Sequence, residues 1–314
     1  MTITGVILMT YGSPRDLDDV GAYITRVRGG RAPDAALLAE FRRRYSVIGM
    51  SPLVEITREQ ASALESALGA EFRVAAGMRF SEPSVADAVD NVRQRGAQRV
   101  LGVILSPQYS ATLMGGYDQA LQAAANGVPA RTVGAWHLNP AFVDVLASRI
   151  RRALAAYPDE RRDVVPVLLT AHSLPKRVVD REPDYVEQLR ETAVAVAGAA
   201  DLPEDQWTFV YQSAGHTPEE WLKPDLLDVL PRLADAGHRQ VIVAPVQFLA
   251  DHLETLYDVD VAGRQQAREA GFQAFERIEA PNATPDFIAA LASVVRGELI
   301  AWDQADRGAT WARA

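Results

Sequence analysis

A single histidine ends one of the chain's apolar runs. His172 closes Val-Leu-Leu-Thr-Ala and is followed by Ser173-Leu174-Pro175, so a strand would deliver it into a loop. A neutral imidazole there can accept a proton or hold a borderline divalent cation near neutral pH. A lone histidine is more often just hydrogen-bonded to its surroundings, so a partner must be found. Ser173 does not supply a hydrolase: neighbouring side chains rarely meet as nucleophile and base, and no G-x-S-x-G elbow occurs.

The partner that suggests itself lies in Asp251–Asp260, DHLETLYDVD. On an α-helix, Asp251, Glu254 and Asp258 share one face. By the same period His252 points about 200° away from Glu254, so those two are not expected to grip one ion. A carboxylate opposite an imidazole suits Fe²⁺ held weakly enough to be given up. A third element is cationic: Arg26, Arg28, Arg31, Arg42, Arg43 and Arg44, with Gly29-Gly30 as a break. Guanidinium groups pair bidentately with carboxylates. Beside them, Tyr45, Ile48, Met50 and Ser51 form an apolar floor, a combination that suits an amphipathic, carboxylate-bearing ring.

These groups need a scaffold that brings them together. Apolar runs of strand length, Thr4–Thr10, Phe72–Arg79, Arg99–Pro107, Ala130–Trp136, Val164–Ala171, Trp207–Gln212, Gln240–Phe248 and Phe272–Ile278, alternate with amphipathic helical stretches. Runs such as VLGVIL and VIVAPV read as parallel strands covered on both faces. Ser84 with Asp87 has capping-box spacing, while Asn139-Pro140, Thr217-Pro218 and Thr284-Pro285 mark further helix starts. The pattern predicts α/β architecture in two doubly wound lobes with parallel sheets, residues 1–118 plus 283–314 and residues 119–282. The last helix is expected over Pro285–Ile300, with a frayed tail from Asp303. At the carboxyl ends of the strands lie Tyr11, Gln108, Tyr109, His137, His172, Gln212, Ser213 and Gln247, where such sheets collect ligands.

Composition narrows the function. The 314 residues carry a net charge of −9, which argues against a nucleic-acid partner, and contain no cysteine. Disulfides, thiolate catalysis and a cysteine-held iron–sulfur cluster are therefore excluded. No basic leader or apolar run long enough for a transmembrane segment is seen, so a cytoplasmic protein is expected, as a monomer. Neither G-x-G-x-x-G nor a P-loop occurs.

Six motifs in order, LMTYGSP, YSVIGMSPL, SPQYSAT with GGY, LLTAHSLP, YQSAGHTPEEWLKPD and PVQFLADHLETLYDVD, resemble the ferrochelatase family from Val6 to about Leu299. The chain looks most like the coproporphyrin III ferrochelatases of Gram-positive bacteria. The resemblance implies a chelatase-type fold of two Rossmann-like lobes, with the porphyrin in the cleft between them. It implies a lyase of heme biosynthesis that inserts ferrous iron into coproporphyrin III, giving coproheme and two protons. His172 and Glu254 would be the catalytic, metal-handling pair, and Tyr11 would face them across the ring. Arg28, Arg44, Tyr45, Ser51 and Tyr117 would contact the macrocycle and its propionates. Fe²⁺ would be substrate, with no permanently bound cofactor; many actinobacterial relatives hold a [2Fe–2S] cluster through cysteines, which this chain lacks. Two departures stand out: one glycine fewer before Met50-Ser51, and Ala262 where relatives continue the acidic line, with Asp260 a candidate substitute. Protoporphyrin IX as substrate, a sirohydrochlorin chelatase and a non-catalytic tetrapyrrole carrier are the alternatives.

Overall fold

The computed structural model describes residues 2–215 and 219–311. Two four-stranded parallel sheets carry the chain. The first contains β1 (Thr4–Thr10), β2 (Phe72–Met78), β3 (Arg99–Ile104) and β4 (Ala130–Thr132), in the order β2-β1-β3-β4. The second contains β5 (Val167–His172), β6 (Trp207–Gln212), β7 (Gln240–Pro245) and β8 (Ala274–Arg277), in the order β6-β5-β7-β8. The two orders are the same. In each sheet the chain leaves the opening strand on one side and returns on the other, which puts a switch point at its carboxyl end. Tyr11 follows β1 and His172 ends β5, so each opening strand delivers a candidate group to its switch point.

The apolar runs form strands because helices cover both faces. All seven residues of β1 are buried. At Gly102 in β3 an added Cβ would meet Leu121 and Met9 at 2.7 Å, so the helix Ala111–Ala125 packs directly on bare backbone. Most strands are shorter than their apolar runs: β3 stops at Ile104, before Pro107, and β4 covers three residues. Ser84 and Asp87 form the expected capping box, and the Asn139 Oδ1 accepts the backbone N–H groups of Ala141 and Phe142. A helix does begin at Pro285, although the Thr284 hydroxyl donates to the Pro281 carbonyl. Thr217-Pro218 lies outside the described residues.

Two expectations change. The first sheet runs past residue 118, because β4 pairs with β3 from Val100↔Ala130 onward; a boundary at 118/119 would cut the helix Ala111–Ala125. The last helix does not fray at Asp303 but continues to Trp311. Arg99 pairs with Asp303 and Arg131 with Asp306, and both guanidinium groups stack over the Trp302 ring. This helix packs against the helices Leu53–Leu68 and Pro140–Ala155, and the latter also packs against Pro183–Ala199. One apolar core consequently runs through both lobes, from Val6 and Leu8 to Leu169, Ile242 and Phe287. Among the described residues no helix is long and apolar enough to cross a membrane.

A polar seam joins the lobes elsewhere. Gln108 Nε2 donates to Thr192 Oγ1 at 2.8 Å, Gln188 bonds both backbone groups of Tyr109, and His137 Nε2 lies 2.8 Å from Glu191. The polar strand ends at Gln108, Tyr109 and His137 therefore serve this joint instead of facing a ligand.

Candidate active site

The site begins with the end of β5. The His172 backbone N–H donates to Gln247 Oε1 at 2.8 Å, and Gln247 Nε2 donates to the Tyr185 hydroxyl at 2.6 Å, so the strand end is fixed from two sides. His172 Nδ1 sits against the Ser173 carbonyl. A carbonyl only accepts, so Nδ1 carries a proton and Nε2 is the nitrogen left to face Glu254. Nε2 stands 3.5 Å from Glu254 Oε1. The expected pair does converge.

Glu254 opens a π-helix, Glu254–Gly263. Asp251 and His252 lie outside the helix, and this overturns the helical-wheel reading. His252 is not on the far side of Glu254: its Nδ1 bonds the Ala250 carbonyl at 3.0 Å, and its Nε2 lies 3.4 Å from Glu254 Oε2. Each carboxylate oxygen thus faces one imidazole. Burial pushes the Glu254 carboxyl up, but His172 and His252 outweigh it and hold the group down at about 2. For His252 burial pulls the imidazole down, yet Glu254 and the Ala250 carbonyl leave it raised. His252 is the group that sequence reasoning missed; its signal was proximity in DHLE, discounted by assuming an α-helical period. Where Nε2 of His172 meets a carboxylate oxygen as acceptor facing acceptor, a proton or a cation belongs between them. Among the described residues no three His, Asp or Glu side chains converge to hold a metal.

The acidic face also changes. Asp251 turns away to Arg277 at 3.0 Å and accepts a bond from Asn282 at 2.9 Å. Asp260 is gripped by the same Arg277 through two bonds, at 2.9 and 2.8 Å, so it does not extend the line in place of Ala262. Arg277 draws both carboxylates into the scaffold. Asp258 is not drawn to Arg277: burial raises its carboxyl, the Ser213 hydroxyl opposes that most, and of the nearby charges Glu254 adds to the rise while Arg44 and His172 oppose it.

On the opposite wall Tyr11 projects after β1, where Gly12 adopts φ +83° and accepts the Tyr23 hydroxyl through its carbonyl. Tyr11 is 44% exposed, 5.1 Å from the Phe80 ring and 6.2 Å from Tyr117. Burial raises its phenol; Arg79 opposes that rise and Glu254 adds to it. Tyr117 is buried behind Tyr11 under the Arg79 guanidinium, 5.2 Å from its ring. Arg79 was not foreseen; its slot exists because Gly116 has no side chain, a Cβ there meeting the guanidinium at 2.0 Å. Tyr45 is buried with Val20, Tyr23 and Ile24, and burial, then Glu254, raises its phenol. The buried Ser51 hydroxyl accepts the Leu53 N–H at 3.4 Å.

The arginines are less gathered than their spacing suggested. Arg26 bonds the Phe80 carbonyl and Asp19, and Arg42 the Leu17 carbonyl. Arg28 is exposed after the helix Val20–Val27, and Arg31 bonds its carbonyl. On the helix Ala35–Ile48, Arg43 and Arg44 both grip Glu40. Arg43 also bonds the Tyr257 hydroxyl, and Arg44 reaches Asp258 at 3.2 Å, tying this helix to the π-helix.

Residues 3–299 match the ferrochelatase family. The chain belongs to that family. It is 38% identical to a ferrochelatase of Herpetosiphon aurantiacus over 94% of this chain and 99% of the relative. It is also 38% identical to the coproporphyrin III ferrochelatase of Geobacillus kaustophilus, over 93% and 94% of the two chains. SirB from Bacillus subtilis, solved with Fe³⁺, shares the fold at a TM-score of 0.58 and 13% identity, covering 94% of this chain and 95% of that one. As a ferrochelatase-family enzyme the chain is a metal chelatase, and its two lobes have the chelatase fold.

Proposed function

We propose that the enzyme inserts ferrous iron into coproporphyrin III, giving coproheme and two protons in heme biosynthesis. The observation that carries this is the meeting of His172 Nε2 and Glu254 Oε1 at 3.5 Å, with Tyr11 exposed just after the opening strand of the other lobe. Relatives named coproporphyrin III ferrochelatase at 38% and 36% identity support the choice of porphyrin.

On this reading the porphyrin lies between Tyr11 and the His172–Glu254 pair. Arg28 and Arg44 take propionates, and Tyr45, Ser51 and Tyr117 shape the floor. His172 Nε2 and Glu254 exchange iron's water ligands for their own as Fe²⁺ passes to the ring. Each pyrrole N–H must lose its proton. His172 Nε2 and the Glu254 carboxylate beside it are the groups placed to accept them. One imidazole and one carboxylate hold an ion only in transit, which a chelatase requires. Propionate pairing at the rim offsets strain imposed at the ring centre.

The test is anaerobic mixing of enzyme with coproporphyrin III, then ferrous iron. The expected result is multiple-turnover conversion to the metallated spectrum, faster than with protoporphyrin IX. Stoichiometric binding without turnover supports a carrier, and preference for protoporphyrin reverses the substrate assignment.

A further inference from the structure

Arg44 is expected to hold a propionate, yet a carboxylate of the protein already occupies it. Its Nε bonds Glu40 at 2.7 Å on its own helix, and its Nη1 bonds Asp258 at 3.2 Å across the cleft. We propose that a carboxylate of the incoming porphyrin takes Arg44 from Asp258, and that this exchange unmasks Asp258 beside Glu254 as the ring settles. The inference rests on the porphyrin reading above and adds a coupling between the rim and the metal side.

Three features make the exchange feasible. The guanidinium fork offers its edges in fixed directions, so the Glu40 bond through Nε can persist while the Nη edge changes partner. Glu40 is also held by Arg43 at 2.9 and 2.8 Å, and remains neutralised when Arg44 turns. The Tyr257 ring lies under both arginines, 5.1 Å from Arg44 and 5.2 Å from Arg43, a surface on which Arg44 can pivot without losing its stacking.

The consequence falls on Asp258. Burial raises its carboxyl; the Ser213 hydroxyl opposes that rise most, then Arg44 and His172. Without Arg44 only Ser213 and His172 oppose it, and the carboxyl, four residues from Glu254 on the same π-helix, takes up a proton or a cation more readily. Porphyrin binding would thus supply a further acceptor at the moment pyrrole protons must leave. The coupling is reciprocal: whatever engages Asp258 also frees Arg44 for the rim.

A double-mutant cycle on coproporphyrin III affinity, read by fluorescence quenching without iron, tests the exchange. Asp258→Asn removes the competitor and should tighten binding five- to tenfold in the wild-type background and less than twofold in Arg44→Gln. In Arg28→Gln the tightening should persist. Equal tightening in the Arg44→Gln background would mean only long-range relief of negative charge and overturns the exchange, as does weaker binding of Asp258→Asn itself. Where Arg44→Gln binds too weakly to titrate, Arg44→Lys, which lacks the fork, replaces it with the same expected loss of coupling. A second measurement uses coproporphyrin III tetramethyl ester, whose affinity should not respond to Asp258→Asn; a response there also overturns the exchange. Failure of every variant and the wild type to bind porphyrin instead refutes the substrate reading.

Discussion

The two walls of the cleft are built differently. On the wall of the second lobe, Glu254 lies 3.5 Å from His172 and 3.4 Å from His252, and both imidazoles are oriented by backbone carbonyls. On the wall of the first lobe the arginines are dispersed: Arg28 faces solvent, while Arg26, Arg42, Arg43 and Arg44 already hold carbonyls or carboxylates of the protein. The contrast follows from what each wall must do. Moving a proton or a small cation demands fixed geometry before the substrate arrives. Gripping a flexible propionate rim tolerates side chains that change partner on binding.

That contrast predicts a graded series of losses. His172→Ala should lower iron insertion by roughly 10²–10⁴-fold while porphyrin affinity persists, read from steady-state rates beside a binding titration. Near-normal insertion would remove the fixed wall from the account. His252→Ala should cost roughly 10–100-fold, because it orients and charges Glu254 without meeting the ring. Its distinguishing mark is the pH profile. Glu254 loses one of the two groups that hold it at about 2, so the acid limb of activity should move to higher pH. The same change should narrow a stability window. The depressed carboxyl contributes stability that is present above its unfolded value of about 4.3 and is lost as pH falls through its folded value of about 2. An unmoved acid limb would show that His252 is structural only.

Smaller effects are expected on the adaptable wall. Arg28→Ala should weaken coproporphyrin III binding on the order of tenfold, the low end for a charged hydrogen bond at an exposed site. It should weaken protoporphyrin binding less, since that ring carries fewer carboxylates. Arg42→Ala should change neither affinity nor, beyond about 0.5 kcal/mol, stability, because its one hydrogen bond is an exposed one to the Leu17 carbonyl. A large loss of affinity there would make the arginine wall as fixed as the other.

The same difference separates what was legible in the sequence from what was not. β1 and β6 occur over the residues read from their apolar runs; for β1, burial on both faces writes itself directly into composition, whereas β6 lies at the sheet edge with Thr208 exposed. The convergence of His172 with Glu254 was expected from the strand end that carries His172, the acidic DHLETLYDVD segment and the family resemblance together. The acidic helix was misread because a 3.6-residue period was imposed on a segment that is a loop up to His252 and a π-helix from Glu254. Asp251 and Asp260 were lost to Arg277, which lies on β8 and carries no local signal linking it to them. β4 is three residues long, too short for its pairing with β3 to be read from periodicity, and so the lobe boundary was set too early. Arg79 depends on a glycine in another element, a relation visible only in three dimensions.

The central claim concerns where the metal goes. A crystal grown with Co²⁺ and no porphyrin should show the ion within about 2.0–2.2 Å of His172 Nε2 and a Glu254 oxygen, its remaining positions filled by water. An ion bound on the Tyr11 wall, with His172 and Glu254 unengaged, would contradict it.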